Sequence, residues 1–192
     1  LSGSQTVTVT ITGSNDVSTI TGGEDVAAIT ETDTTLTTTG TMRVTDLDTS
    51  DTINVTLDGL SVGGTFTTSS STLPTSLSDN SYQALKDMLN IDPSANLTAD
   101  SSTAGTEFAW TFTSGDSADN AFDFLQEDET LVLTYIVKTV DSSGAVTGEN
   151  TAVTSTITIT ITGTNDTPEL TNGDDIVSII ETDAAITTNG SM

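Results

Sequence analysis

Carboxylates are the side chains through which this sequence could do chemistry. Cysteine and histidine are absent, which removes thiolate and imidazole metal sites, disulfides, and catalysis by either residue. The chain has 28 acidic residues against 3 basic ones, a net charge of −25, and the acids are clustered. Asp46, Asp48 and Asp51 follow an apolar-alternating run that ends near Val44. Glu127, Asp128 and Glu129 precede another such run, Leu131–Val140. Glu31 and Asp33 follow Val26–Thr30, and Asp141 opens an Asp-Ser-Ser-Gly turn. Crowded like charges destabilise a compact chain unless a cation neutralises them. Hard divalent ions take six to eight oxygen ligands, so calcium is the expected cofactor; magnesium, which keeps its water, suits such a set less well. The Asp46–Asp51 loop is not an EF-hand, having neither the glycine nor the distal glutamate of one.

The same composition excludes other functions. So negative a surface repels nucleic acid and anionic membrane faces. No apolar run approaches the length of a membrane-crossing helix, so no direct membrane insertion is expected. No acid lies in an apolar, aromatic setting that would raise its pKa for glycoside hydrolysis, and no enzymatic activity is expected. Leu1 follows no charged or apolar leader, as would also hold for an internal fragment.

The elements that must position these acids begin with a repeat. Thr6–Met42 returns as Thr156–Met192 without a gap at an offset of 150, with 19 of 37 aligned residues identical. Asn15–Asp16 thus recurs as Asn165–Asp166, and Glu31 as Glu181. The spacing predicts a tandem array: residues 1–16 close one repeat, 17–166 form a complete one, and 167–192 open the next. The partners expected are calcium and neighbouring repeats of the same chain, with the array itself monomeric.

Strict alternation at Thr6–Thr12 and Thr154–Thr162 predicts half-buried strands. Further strands are expected at Val26–Thr30, Leu36–Val44, Thr52–Leu57, Gly64–Thr68, Glu107–Thr113, Leu131–Val140 and Ala152–Thr162, the last two forming a hairpin. Helical spacing marks Asn80–Asn90, with Ser81 as cap, and Asp119–Leu125. The whole reads as an all-β, immunoglobulin- or cadherin-like antiparallel sandwich, with Ser61–Ser102 as an insertion carrying a short helix. Phe108, Trp110, Phe112, Phe122, Phe124, Leu133 and Tyr135 are the expected core. Alternate loops of a sandwich lie at opposite ends. Asp16, Asp46, Asp48, Asp51 and Asp141 should therefore share one pole, and Glu31, Glu127–Glu129 and Asn165–Asp166 the other.

Three segments resemble a known family. Thr-Ile-Thr-Ile-Thr-Gly-Thr-Asn-Asp-Thr-Pro (158–168) is similar to the closing strand and linker of VCBS and bacterial cadherin-like repeats. Val44–Asp51 resembles their early acidic loop, and Phe124–Tyr135 the entry to their penultimate strand. The resemblance implies an extender module of a long, type I-secreted bacterial surface adhesin of the RTX class, whose calcium-stiffened junctions project a ligand-binding tip. By the same resemblance Asn15 and Asp16 match linker ligands, Asp46 and Asp48 an Asp-x-Asp pair, and Glu129 or Asp128 the acidic motif before the penultimate strand. Direct binding of ice or polysaccharide is the alternative, suggested by the Thr-x-Thr face of Thr156–Thr162. One alternating strand shows such a face in any sandwich, which favours the extender reading.

Overall fold

A computed structural model describes residues 3–22, 25–66, 82–114, 122–143, 154–167, 179–181 and 183–188. Nine strands and one helix lie within them: β1 Thr19–Thr21, β2 Asp25–Thr30, β3 Thr37–Thr45, β4 Thr52–Gly64, α1 Tyr82–Asp87, β5 Leu89–Asp92, β6 Leu97–Thr98, β7 Thr106–Thr113, β8 Thr130–Asp141 and β9 Thr154–Thr162. They form two sheets, ordered β1-β3-β7-β5 and β2-β9-β8-β4-β6. The chain is an immunoglobulin-like β-sandwich.

Period-two patterning builds it. In β8 each odd position from Leu131 to Val137 is inward and at most 1% exposed, and in β9 Ile157, Ile159 and Ile161 are fully buried. Each such isoleucine contributes about 1.5–3 kcal/mol by leaving water. The facing sheet answers with Phe108, Trp110 and Phe112 from β7 and with Met42 and Val44 from β3. All the aromatic residues expected inside are buried except Phe124, which is half-buried and packs against the core edge. Trp110 needs more than burial, because its indole N–H must find an acceptor. It donates to Asp25 Oδ2 at 2.7 Å, tying β7 to β2 in the other sheet. Gly40 makes room: a Cβ there would lie 2.5 Å from the indole ring.

Several expectations are corrected. Within the expected antiparallel sandwich the described pairings include one parallel one: the chain passes from β1 in the first sheet to β2 in the second, which pairs with β9, Val26 opposite Thr158 and Ile29 opposite Ile161. The strand expected at Thr52–Leu57 runs on as β4 to Gly64, bent at a bulge where Asp58 has no partner residue; of the strand expected at Gly64–Thr68, residues 65 and 66 are not strand and 67–68 lie outside the described residues. The expected helix from Asn80 is only the six residues of α1. Leu89 and Asn90 leave it to pair with Phe112 and Thr111 and, with Ile91 and Asp92, form edge strand β5. The described part of Ser61–Ser102 carries the expected short helix and packs into the sandwich: Leu85 is buried, and its carbonyl accepts a 2.8 Å bond from the Tyr135 hydroxyl, while residues 67–81 lie outside the described residues. Burial pushes that phenol well above its ordinary pKa. Phe122–Phe124 is a turn, not a helix. The cap Ser81, the rest of 119–121 and the 144–153 tip of the β8–β9 hairpin lie outside the described residues.

Thr6–Thr12 is also corrected. Its pattern matches β9, yet Val7, Val9 and Ile11 are 84%, 76% and 89% exposed and the segment forms no strand. Alternation makes a strand only where a sheet edge receives it. β9 lies between β8 and β2, whereas Thr6–Thr12 pairs with none of the described strands.

Candidate cation sites at the two poles

At the β9 end, Glu31 sits one residue beyond β2. Its backbone N–H continues the β2–β9 ladder by donating to the Thr162 carbonyl at 2.7 Å, which turns its side chain inward, 1% exposed. Glu31 Oε2 accepts two bonds from Thr164, from the backbone N–H at 3.2 Å and the hydroxyl at 2.8 Å. Oε1 is buried without a donor, and so is Asp123 Oδ1. Glu31, Asp33 and Asp123 each bring one carboxylate oxygen within 4.8 Å of the others. Among the described residues no other three acids converge so closely. Burial first, and then the Glu31 charge, pushes the Asp123 carboxyl up to about 6. Asp166 is raised by burial and by Glu31 and Asp33.

Local sequence explains the convergence. Asp123 stands between Phe122, which is buried, and Phe124, half-buried, so anchoring the flanking rings carries the acid to the rim of the core. The Phe122 carbonyl accepts from the Leu125 N–H at 2.9 Å and closes the turn. Gly163 lets β9 leave across that turn: a Cβ on it would sit 2.6 Å from Leu125 Cβ. Asp123, Glu127, Thr164 and Asp166 line a cleft of about 460 Å³ beside the cluster.

At the opposite end Asp46 and Asp141 are 3% and 4% exposed. Asp46 Oδ2, Asp51 Oδ2 and Asp141 Oδ2 are all buried without a donor. Their other oxygens are partly used to shape the loops. Asp46 Oδ1 accepts from the Asp48 N–H at 3.0 Å, and Asp141 Oδ1 from the N–H and hydroxyl of Ser143. Burial raises the Asp46 carboxyl, the Asp48 N–H opposes that, and the charges of Asp141, Asp51 and Asp48 add to the rise. Asp16 joins this pole through its backbone N–H, 2.6 Å from Asp48 Oδ2.

The structure thus gathers Asp16, Asp46, Asp48, Asp51 and Asp141 at one pole and Glu31, Asp123 and Asp166 at the other. The other expected residues are exposed or partly buried, and of these Glu127 and Asn165 line the same cleft as Asp123 and Asp166. Glu127 and Asp128 are exposed, and Asp128 occupies a left-handed turn position at φ 66°. Glu129 Oε2 accepts from the Gln126 N–H at 3.1 Å, stapling the turn before β8. Asn15 and Asn165 are exposed in the linkers. Glu181 is exposed, unlike its counterpart Glu31. Asp33, noted in sequence but not taken as a ligand, and Asp123, read as helical, are the two residues added. The legible signal for Asp123 was an acid flanked by two rings.

A hard cation fits this chemistry. Every polar side chain at the centre of each pole offers oxygen. The described ion pairs lie elsewhere, on sheet faces: Arg43 to Glu107 at 2.7 Å and Lys138 to Asp58 at 3.9 Å. Neither of the described ion pairs reaches the orphaned buried oxygens, and an oxygen-ligated cation would satisfy them.

The class that fold and poles define is an immunoglobulin-like sandwich with carboxylates concentrated at both ends. No family model matches the chain, and no curated protein does. Among solved structures it is similar to PapD-like domain 7 of human CEP192, at 10% identity and TM-score 0.44, covering 87% of this chain and 99% of that one. It is similar also to the CooA pilin subunit of enterotoxigenic Escherichia coli, at 12% identity and TM-score 0.44, covering 77% and 99%. The periplasmic chaperone SfaE matches at 11% identity and TM-score 0.35, covering 76% of this chain and 57% of that one.

Proposed function

We propose that this chain carries one unit of a tandem array, running from about residue 17 to 166, whose acidic poles bind calcium and stiffen the junctions between units. In this reading residues 1–16 end one unit, residues 167–192 begin another, and the array is a structural spacer with no catalytic role. Its setting is the bacterial cell surface, in a secreted adhesin, to which the resemblance of the closing strand and linker points. The observation that carries the proposal is the set of buried carboxylate oxygens without donors at both poles: Glu31 Oε1 and Asp123 Oδ1 at one, Asp46, Asp51 and Asp141 Oδ2 at the other.

Linker geometry supports the same reading. Asp16 lies against the Asp46–Asp48 loop, and Asp166, its equivalent 150 residues on, lies beside Glu31 and Asp33. One Asn-Asp linker therefore touches the trailing pole of one unit and the leading pole of the next. Glu31, Asp33 and Asp123 would hold a cation at the trailing pole, and Asp46, Asp51 and Asp141 one at the leading pole. The bound ion supplies positive charge that turns mutual repulsion into a crosslink.

Thermal melts of this chain in EDTA and in millimolar calcium test the proposal. Binding to the native state alone at a hundredfold excess over Kd adds about 2.7 kcal/mol, which corresponds to a rise in Tm of about 5–10 °C for a domain of this size. Superimposable melts would overturn it.

A further inference from the structure

We propose that Thr164 is the positioning residue of the trailing cation site. Its hydroxyl and backbone N–H together hold the Glu31 carboxylate so that one oxygen is free to ligate. The inference rests on the reading of the Glu31–Asp33–Asp123 cluster as a calcium site.

A buried glutamate with a free carboxylate has no reason to keep one orientation; its terminal torsion is broad. Here Glu31 Oε2 takes both donors of Thr164, at 2.8 and 3.2 Å, and Oε1 takes none. Two hydrogen bonds on one oxygen fix the plane of the carboxylate and leave the other oxygen buried without a donor, in a side chain that brings a carboxylate oxygen within 4.8 Å of Asp33 and Asp123. Preorganisation of this kind lowers the cost of ligation, because the side chain is already ordered before the ion arrives.

Thr164 itself has little freedom. It follows Gly163, whose N–H donates to the Glu129 carbonyl at 2.9 Å and whose Cα lies against Leu125 and Gln126. It immediately precedes Asn165–Asp166, so the same residue orients the ligand and starts the linker. The first copy of the repeat carries Ser14 at the equivalent position, which also places a hydroxyl there, while the linker after it differs, Val17-Ser18 against Thr167-Pro168.

The test is calcium titration by calorimetry of the intact chain and three variants: Thr164→Val, Thr164→Ser and Glu31→Gln. Valine keeps the shape and the backbone donor but loses the hydroxyl. A hydrogen bond to a charged group is worth about 1.5 kcal/mol or more, so Thr164→Val should weaken the trailing site about tenfold. Thr164→Ser should bind within about threefold of the parent, a rescue that loss of packing would not predict. Melts in EDTA check that each variant folds. Equal affinity for the parent and Thr164→Val, with Glu31→Gln losing one site, would overturn the positioning role and leave the calcium reading standing. Equal binding by the parent and Glu31→Gln, or none by either, would overturn both.

Discussion

Replacing Asp123 with asparagine should stabilise the calcium-free domain at neutral pH and at the same time blunt its response to calcium. Asp123 is pushed from 3.8 to about 6, by burial and then by the charge of Glu31. A folded-state pKa above the unfolded one means that the folded protein holds the proton more tightly. The stability this provides is complete below about pH 4 and is lost as pH rises through about 6. At about 1.4 kcal/mol per unit, the shift corresponds to an upper bound of about 3 kcal/mol. Asp123 is only partly buried, and screening by water reduces the figure to about 1 kcal/mol. That is about 2–4 °C in Tm for a domain of this size. The assay is circular dichroism melting in EDTA from pH 4 to 7.5 for the parent and Asp123→Asn. The two curves should coincide near pH 4 and diverge with rising pH, the variant melting higher by pH 7. Added calcium should then reverse the ranking, because the variant has lost a charged ligand. A variant that melts lower than the parent at pH 7 in EDTA, or whose profile runs parallel to it, would refute the view that Asp123 is under charge strain.

Two further perturbations probe the scaffold. Gly40→Ala places a methyl group against the Trp110 ring and should cost about 1–3 kcal/mol, read by denaturant unfolding followed through the fluorescence of this single tryptophan; an unchanged midpoint would mean that β3 and β7 can separate freely. Deleting residues 3–12 should leave the melting temperature within about 1 °C of the parent, since exposed segments contribute little, and a larger loss would show that Val7, Val9 and Ile11 pack on the sandwich.

How much was legible in sequence follows from the range of the physics. Period two is local, so the alternation of Leu131–Val137 and Ile157–Ile161 announced their inward faces, and Phe108, Trp110 and Phe112 could be assigned to the core directly. Chain order was enough to send alternate loops to opposite ends and so to gather Asp46, Asp51 and Asp141 away from Glu31. Composition alone removed thiolate and imidazole chemistry. What the sequence could not contain is which edge accepts a strand. Thr6–Thr12 and Thr156–Thr162 are nearly the same words, yet only the second lies between β8 and β2. Leu89 and Asn90 read as the end of a helix until Phe112 and Thr111 offer them a ladder. The site divides in the same way. Glu31 was visible as one of many acids, but its burial depends on Thr162 and Thr164, more than 130 residues away. Asp123 becomes its neighbour only because Gly163 lets two backbones nearly touch. Residue type and local period are written in the chain; the desolvation and charge that could make carboxylates into a cation site arise only when distant segments close over them.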